Sequence, residues 1–119
     1  MNTDLLDRED VDEQRKESAR IAEINFIEEV NDLKWLMKSR RGRRIIWSQL
    51  ERAAVFRSSF NTEPLLMAKA EGYKEYGYYL LQMIHLYCPE NYATMVEESR
   101  ERKLRNSRNT RKSGSSATN

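Results

Sequence analysis

The most concentrated group of side chains that could do chemistry in this sequence is basic. Four arginines surround a single glycine, Gly42, and a fifth follows further along the chain: Arg40, Arg41, Arg43, Arg44 and Arg57. Planar guanidinium groups match the oxygens of phosphates and carboxylates, so closely spaced arginines can hold an acidic partner. We therefore interpret these five residues as candidate partner-binding residues.

Three kinds of acidic partner are compatible with the arginines. They could pair with Glu and Asp side chains of the preceding helix, dock on another protein, or contact DNA phosphates together with the basic C-terminal tail. Two features weigh against nucleic acid. The acidic N-terminal part would compete for the arginines, and no aromatic residues interleave with them as in a single-strand binding protein. The sequence leaves the choice among the three open.

The sequence contains no pattern typical of a catalytic or metal site. The only histidine, His85, has no acid or nucleophile nearby, and the only cysteine, Cys88, has no second thiol with which to form a disulfide or a metal site. The stretch GRRII lacks the lysine and Ser/Thr of a phosphate-binding loop, and GxGxxG is absent. We predict a protein that is not an enzyme and that has no cofactor and no metal.

Tyrosines form a second group of candidate partner-binding residues. Five of them occupy one short stretch: Tyr73, Tyr76, Tyr78, Tyr79 and Tyr87. They cannot all point at a core, since Tyr76 and Tyr78 fall on different sides of a helix. Aromatic rings with polar tips pack at the rim of a core or at an interface with a partner. Both interpretations are compatible with the sequence, and Tyr76 and Tyr78 are the candidates for partner contact.

Charge is strongly segregated along the chain, although the net charge is only +2. Residues 1–32 carry 4 basic and 11 acidic side chains, residues 33–60 carry 8 and 1, residues 61–97 carry 2 and 5, and residues 98–119 carry 7 and 2. Oppositely charged segments attract each other within a molecule or between neighbours, so this pattern favours assembly.

Targeting signals are not expected. The first ten residues have neither a basic start nor an apolar run, and no apolar stretch approaches the length that spans a bilayer. We therefore expect no signal peptide and no membrane segment, and synthesis in a reducing cytoplasm.

Apolar periodicity predicts helices on both sides of the arginines. From residue 17 to residue 37, apolar residues recur in steps of three and four, and Ile21, Ile24 and Ile27 form a second stripe beside them. Such a helix packs on more than one neighbour. Asn and Asp are strong N-cap residues, so Asn31-Asp32 could divide the segment; one helix and two are both compatible. We expect Gly42 to end this helical segment in a turn, because glycine adopts positive φ at little cost.

Three further features predict the remaining helices. After the arginines, one buried stripe consists of Ile46, Leu50 and Ala53. Thr62 is the expected cap of the next helix, with Pro64 in its first turn. The core face of that helix is predicted to contain Leu66, Ala70, Tyr73, Gly77, Leu80, Leu81 and Ile84, with another helix crossing closely at Gly77. Pro89 begins a final helix.

These elements predict an all-α protein, a small bundle of three to four helices with extended charged termini. We assign residues 1–16 to a polar, acidic N-terminal arm and residues 17–103 to a helical domain. Residues 104–119 are expected to form a basic, disordered C-terminal tail, because they contain only one large apolar residue, Leu104.

Several short motifs in order resemble a small tailed-phage domain family first named from a Bordetella podophage. They are GRRIIW at residues 42–47, FRSSF at 56–60, AKAEG at 68–72, GYYLL at 77–81 and PENY at 89–92. The similar region covers residues 35–96, about half of the chain. Two positions after Gly72 the family tends to have arginine, where this chain has Lys74.

The resemblance implies a virion or morphogenesis protein. We expect a non-enzymatic phage particle component, made in the host cytoplasm and located in the virion. It would be docked at the portal or tail, or packaged and ejected with the genome, in several copies among other virion proteins. The alternative from another class is a DNA-associated accessory or regulatory protein, with DNA bound through the arginines and the basic tail.

Overall fold

The computed structural model describes residues 3–117, and over this range the chain forms four helices and no strand. The helices are α1 (Thr3–Met37), α2 (Arg40–Arg52), α3 (Pro64–Tyr87) and α4 (Pro89–Ala117). The predicted all-α class is therefore confirmed. None of these four helices combines the length and the apolar character needed to cross a membrane.

The predicted boundaries of the arm and the tail do not coincide with helix ends. Residues 3–16 already belong to α1, and residues 104–117 belong to α4. Glu, Lys and Arg have favourable helix propensity, so a charged segment can prolong a helix that is anchored elsewhere. The outermost residues of the predicted arm and tail, 1–2 and 118–119, lie outside the described residues. The choice between one helix and two is also resolved, since α1 continues through Asn31-Asp32.

The chain divides into two compact units, one up to residue 33 and one from residue 34. The first unit is the greater part of α1. Its predicted second stripe is about half exposed, with Ile21, Ile24 and Ile27 at 49%, 48% and 51%. The expectation that this stripe packs on a neighbour is wrong within the described chain. Val30 and Leu33, on the first stripe, are buried.

The second unit has a core built by α2, α3 and α4, to which Met37 at the end of α1 contributes. Its most deeply buried large side chains are Met37, Leu50, Ile84 and Met95. The predicted stripe of α2 is confirmed, because Ile46 and Ala53 are buried as well. A short α2 is thus anchored between two longer helices by one apolar face.

The residues of α3 that face the core are only partly the predicted ones. Gly77 and Ile84 are buried as expected, but Leu66 and Tyr73 are more than half exposed. Met83 and Lys74 are buried in their place; Lys74 can place its aliphatic stem against apolar neighbours while its ammonium group reaches water. Helical periodicity identifies a face but not the point along the helix where its neighbours end, and the first turns of α3 extend beyond the core.

A tight turn after α2 explains why Gly77 is a glycine. The N–H of Ala54 donates to the carbonyl of Glu51, and the N–H of Val55 donates to that of Leu50, in the pattern of a Schellman motif. Ala54 takes φ of +57° there, a conformation in which glycine is usual. A Cβ at Gly77 would overlap the side chain of Val55 and lie 2.6 Å from Cβ of Ala53. The predicted close approach is confirmed, and the element that approaches Gly77 is this turn.

The two glycines of α3 provide a matched test of that contact. We expect Gly77→Ala to destabilise the protein, because the added methyl group overlaps Val55. Gly72→Ala meets no atom within 4 Å and should stabilise by up to about 1 kcal/mol, the difference in helix propensity. Urea unfolding monitored by circular dichroism measures both. Equal effects of the two substitutions would contradict the packing of the turn on α3.

Candidate functional site

The arginines lie at the start of α2, immediately after a two-residue turn. Ser39 is the N-cap of α2, and its Oγ accepts a hydrogen bond from the N–H of Gly42 at 2.9 Å. The prediction that Gly42 closes the preceding helix with positive φ is wrong, since Gly42 lies inside α2 and no described glycine has positive φ. A Cβ at Gly42 would overlap the backbone carbonyl of Leu36. Glycine is required here because the end of α1 passes so close to α2.

Arg43 points into the protein. Its Nη2 and Nε donate to the carboxylate of Glu98 in α4 at 2.6 and 3.0 Å, and its Nη1 donates to the carbonyl of Met37 at 3.0 Å. The two side chains are only 13% and 10% exposed. The fork of one guanidinium therefore joins the last residue of α1 to α2 and α4, and Arg43 serves as a structural residue.

Arg40 makes a second, more exposed pair with α4. Its Nη2 lies 3.2 Å from Oε2 of Glu101, and both side chains are more than half exposed. The two arginines and the two glutamates are each three residues apart, and the order is reversed between the helices, so α2 and α4 run antiparallel at this level. The alternative that the arginines pair with acidic residues of the first helix is wrong for these two. In the sequence, the two arginines and the two glutamates have the same spacing of three residues, and this spacing could have indicated that they pair. The larger number of carboxylates in α1 made the first helix the more obvious source of partners.

These pairs also resolve an electrostatic conflict in the sequence. The first turn of α2 contains arginines and no acidic residue, although the positive end of a helix dipole disfavours cations. Glu98 and Glu101 supply the missing negative charge from the neighbouring helix. Pairing with α4 therefore explains why Arg40 and Arg43 are tolerated in the first turn of α2.

The other arginines of the candidate set point outward. Arg41, Arg44 and Arg57 are exposed, and Arg44 and Arg57 line a groove of about 890 Å³ between α2 and α4. We call it the α2–α4 groove. The basic residues along it are Arg44, Arg57, Arg100, Arg102 and Lys103, and Glu51 is the acidic one.

An aromatic pair forms part of the same groove. The rings of Trp47 and Phe56 stack with centroids 5.4 Å apart and an interplanar angle of 24°. The indole Nε1 of Trp47 donates to Oε1 of Glu51 at 2.6 Å, which fixes the orientation of the ring. Although no aromatic residues interleave with the arginines in the sequence, α2 and the turn after it place Trp47 and Phe56 in the same groove as Arg44 and Arg57.

The two candidate tyrosines lie on α3 and are both accessible. Tyr76 is 61% exposed and Tyr78 is 49% exposed. Their separation of two residues places them about 200° apart around the helix, so they cannot belong to one contact surface. On the side of Tyr76 the exposed residues continue with Leu65, Leu66 and Tyr73.

His85 and Cys88 lie at the end of α3, His85 exposed and Cys88 buried. The ring of His85 contacts that of Tyr92, with centroids 4.4 Å apart. Cys88 is buried, and burial raises the pKa of its thiol, an effect that nearby Lys34 partly offsets. A raised pKa keeps the group as the thiol at neutral pH, whereas a nucleophile or a metal ligand must be the thiolate. Among the described residues, no group of three acidic, His or Cys side chains is arranged to hold a metal ion.

Two of the sequence motifs meet in the structure. The hydroxyl of Ser59, in the loop after α2, donates to the carboxylate of Glu71 in α3. The same loop is ordered by Asn61, whose Oδ1 accepts from the N–H of Glu63 at 2.8 Å. Glu63 is the N-cap residue of α3, so the prediction of Thr62 as cap is wrong, while Pro64 begins the helix as expected.

Comparison with known proteins identifies one family for this region. Residues 33–97 match the family model described as Bbp19-like phage protein. This match confirms the resemblance seen in the short motifs and extends it by a few residues. The comparisons found no matching curated protein and no matching solved structure.

Neutralising Arg43, whose ion pair is largely buried, should lower the free energy of unfolding far more than neutralising Arg40, whose ion pair is exposed. We expect Arg43→Gln to destabilise the protein by about 3 kcal/mol or more, because Glu98 is left buried without its partner. Arg40→Gln removes an exposed pair and should cost less than about 1 kcal/mol. Urea unfolding of the two variants measures the difference. Similar losses for both would contradict a structural role specific to Arg43.

Proposed function

Because the chain belongs to the family of Bbp19-like phage proteins, we propose that it is a non-enzymatic component of the phage particle. It docks on other virion proteins, at the portal or tail or among the internal proteins that are ejected with the genome. Several copies are present in each particle.

The observation that carries this proposal is an exposed apolar surface on α3. Its residues are Leu65, Leu66, Tyr73 and Tyr76, each more than half exposed, with Leu65 at 79%. At about 100° per residue they fall within an arc of about 100° of the helix surface. Lys69 lies within the same arc, with its Nζ 5.9 Å from the centroid of the Tyr73 ring. Exposed apolar and aromatic side chains gathered on one face of a helix are typical of a protein–protein interface. We call these four residues the α3 surface.

Other features support a role in binding without catalysis. The side chains that the sequence offers for chemistry are used in packing: Arg43 joins three helices, His85 contacts Tyr92, and Cys88 is held as the thiol. Charge is segregated between the acidic residues of α1 and the basic end of α4. Such segregation favours ordered contacts between neighbouring molecules in an assembly.

Mass spectrometry of purified virions tests the proposal. A phage that lacks the gene is complemented with the wild-type chain or a variant, and the copies per particle are counted relative to the major capsid protein. We expect several copies per virion for the wild type. A chain that is abundant in infected cells and absent from purified particles would contradict the proposal.

A matched pair of double variants tests the α3 surface. Leu65→Ser with Tyr76→Ser removes two of its residues, and truncation of one central aromatic anchor costs about 2 kcal/mol, so we expect incorporation to fall about tenfold or more. The control is Tyr78→Ser with Leu104→Ser, which removes the same residue types from exposed positions elsewhere. The control should enter particles normally. If both variants are incorporated like the wild type, the α3 surface is not the docking site.

A further inference from the structure

We propose that the α2–α4 groove binds single-stranded nucleic acid, with phosphates on its arginines and a base stacked on its aromatic pair. This inference concerns a different surface from the α3 surface. It is independent of whether the chain is part of the particle.

The first support is the charge of the groove. Its five cations, Arg44, Arg57, Arg100, Arg102 and Lys103, face one carboxylate, and that carboxylate already accepts a hydrogen bond from Trp47. Arg100 has Glu97 at 3.9 Å on its own helix. Within residues 3–117 no acidic side chain pairs with the other four. Unpaired arginines and lysines along a groove provide contacts for a phosphate backbone.

The second support is the aromatic pair. Trp47 is held by Glu51 on one side and by Phe56 on the other, and Phe56 keeps 53% of its surface exposed. Phe56 thus stacks on an indole whose orientation is fixed, and it is itself accessible, so the pair is suited to stack on an unpaired base. A duplex does not offer such a base, because its bases are stacked on each other. The aromatic pair therefore favours a single strand over duplex DNA.

The third support is the continuation of the basic surface along α4. Beyond the groove the helix carries Arg105, Arg108 and Arg111, all exposed. An acidic peptide would also be attracted by these charges, but its carboxylates would not stack on the aromatic pair. The combination of ring and cations selects a polymer that has both phosphates and bases.

Fluorescence anisotropy with the full chain and a labelled 20-nucleotide oligothymidine tests the charges. We expect binding that weakens with salt, and weaker binding to a duplex of equal length. Arg44→Gln with Arg57→Gln should lower affinity tenfold or more and reduce the slope of log K against log salt by about 1.4, from two lost contacts at about 0.7 each. The control is Arg15→Gln with Arg52→Gln, two exposed arginines outside the groove and outside the candidate set, which should change affinity less than twofold.

Tryptophan fluorescence tests the stacking. The chain has two tryptophans, and Trp35 does not line the groove. The variant Trp35→Phe retains Trp47 as its only tryptophan, and oligothymidine should quench its emission. The variant Trp47→Phe should show no quenching. Quenching of Trp35 alone would overturn the proposed position of the base.

Three other results would also overturn the proposal. If Arg44→Gln with Arg57→Gln and the control pair lose the same affinity for oligothymidine, the attraction is to the basic surface as a whole and not to the groove. Tighter binding to the duplex would exclude recognition of an unpaired base. Self-association at low salt that is lost in Arg44→Gln with Arg57→Gln, without oligonucleotide binding, would assign the groove to the acidic α1 of a second copy. If that variant does not fold by circular dichroism, Arg102→Gln with Lys103→Gln provides the same test.

Discussion

The guanidinium of Arg43 is the interaction on which the arrangement of the second unit depends. It donates to the carboxylate of Glu98 in α4 and to the last carbonyl of α1, so one side chain connects three helices. Carbonyls at a helix end have no partner within the helix, and a carboxylate that is largely buried requires a cation. Arg43 satisfies both requirements at once. The geometry also needs Gly42, because any side chain there would meet the backbone of Leu36.

This interaction divides the arginine cluster into two functions. Arg40 and Arg43 face α4 and hold its register, with their spacing matched by Glu101 and Glu98. Arg44 is rotated by about 100° from Arg43 and lines the groove, as Trp47 does. The basic residues look alike in the sequence, but they differ in the structure. Those that face α4 form ion pairs with it, and those that line the groove keep their charge available for a partner. The family match over residues 33–97 lies in the second unit except for its first residue, and the α3 surface lies in the same unit.

Local features of the sequence predicted much of the fold. Pro64 and Pro89 begin their helices as expected, and the period of Ile46, Leu50 and Ala53 identified the buried face of α2. Gly77 was recognised as a point of close approach, because a glycine in a helix interior is costly unless packing requires it. The helical segments at both ends were missed, since composition indicates how little a segment can bury but not whether a neighbouring helix will continue through it.

The candidate site was less predictable, because its contacts join residues that are distant in sequence. Arg43 and Glu98 are 55 residues apart, and no local period connects them. The stack of Trp47 on Phe56 depends on the turn after α2, in which Ala54 adopts a positive φ that its residue type does not suggest. The role of Gly42 was misread for a related reason. A glycine between arginines is compatible with a turn or with a crowded helix, and only the position of Leu36 distinguishes them.

A double-mutant cycle on Arg43 and Glu98 tests the central interaction most directly. Arg43→Met, Glu98→Met and the double variant keep chain length and helix propensity while they remove each charge, and urea unfolding gives the free energy of each. If the pair organises the unit, its coupling energy should be about 2 kcal/mol or more, near the upper part of the range for residues in contact. The double variant should also be more stable than either single variant, because no buried charge is left without a partner. A coupling energy below about 0.5 kcal/mol, the value for independent sites, would contradict the role assigned to Arg43.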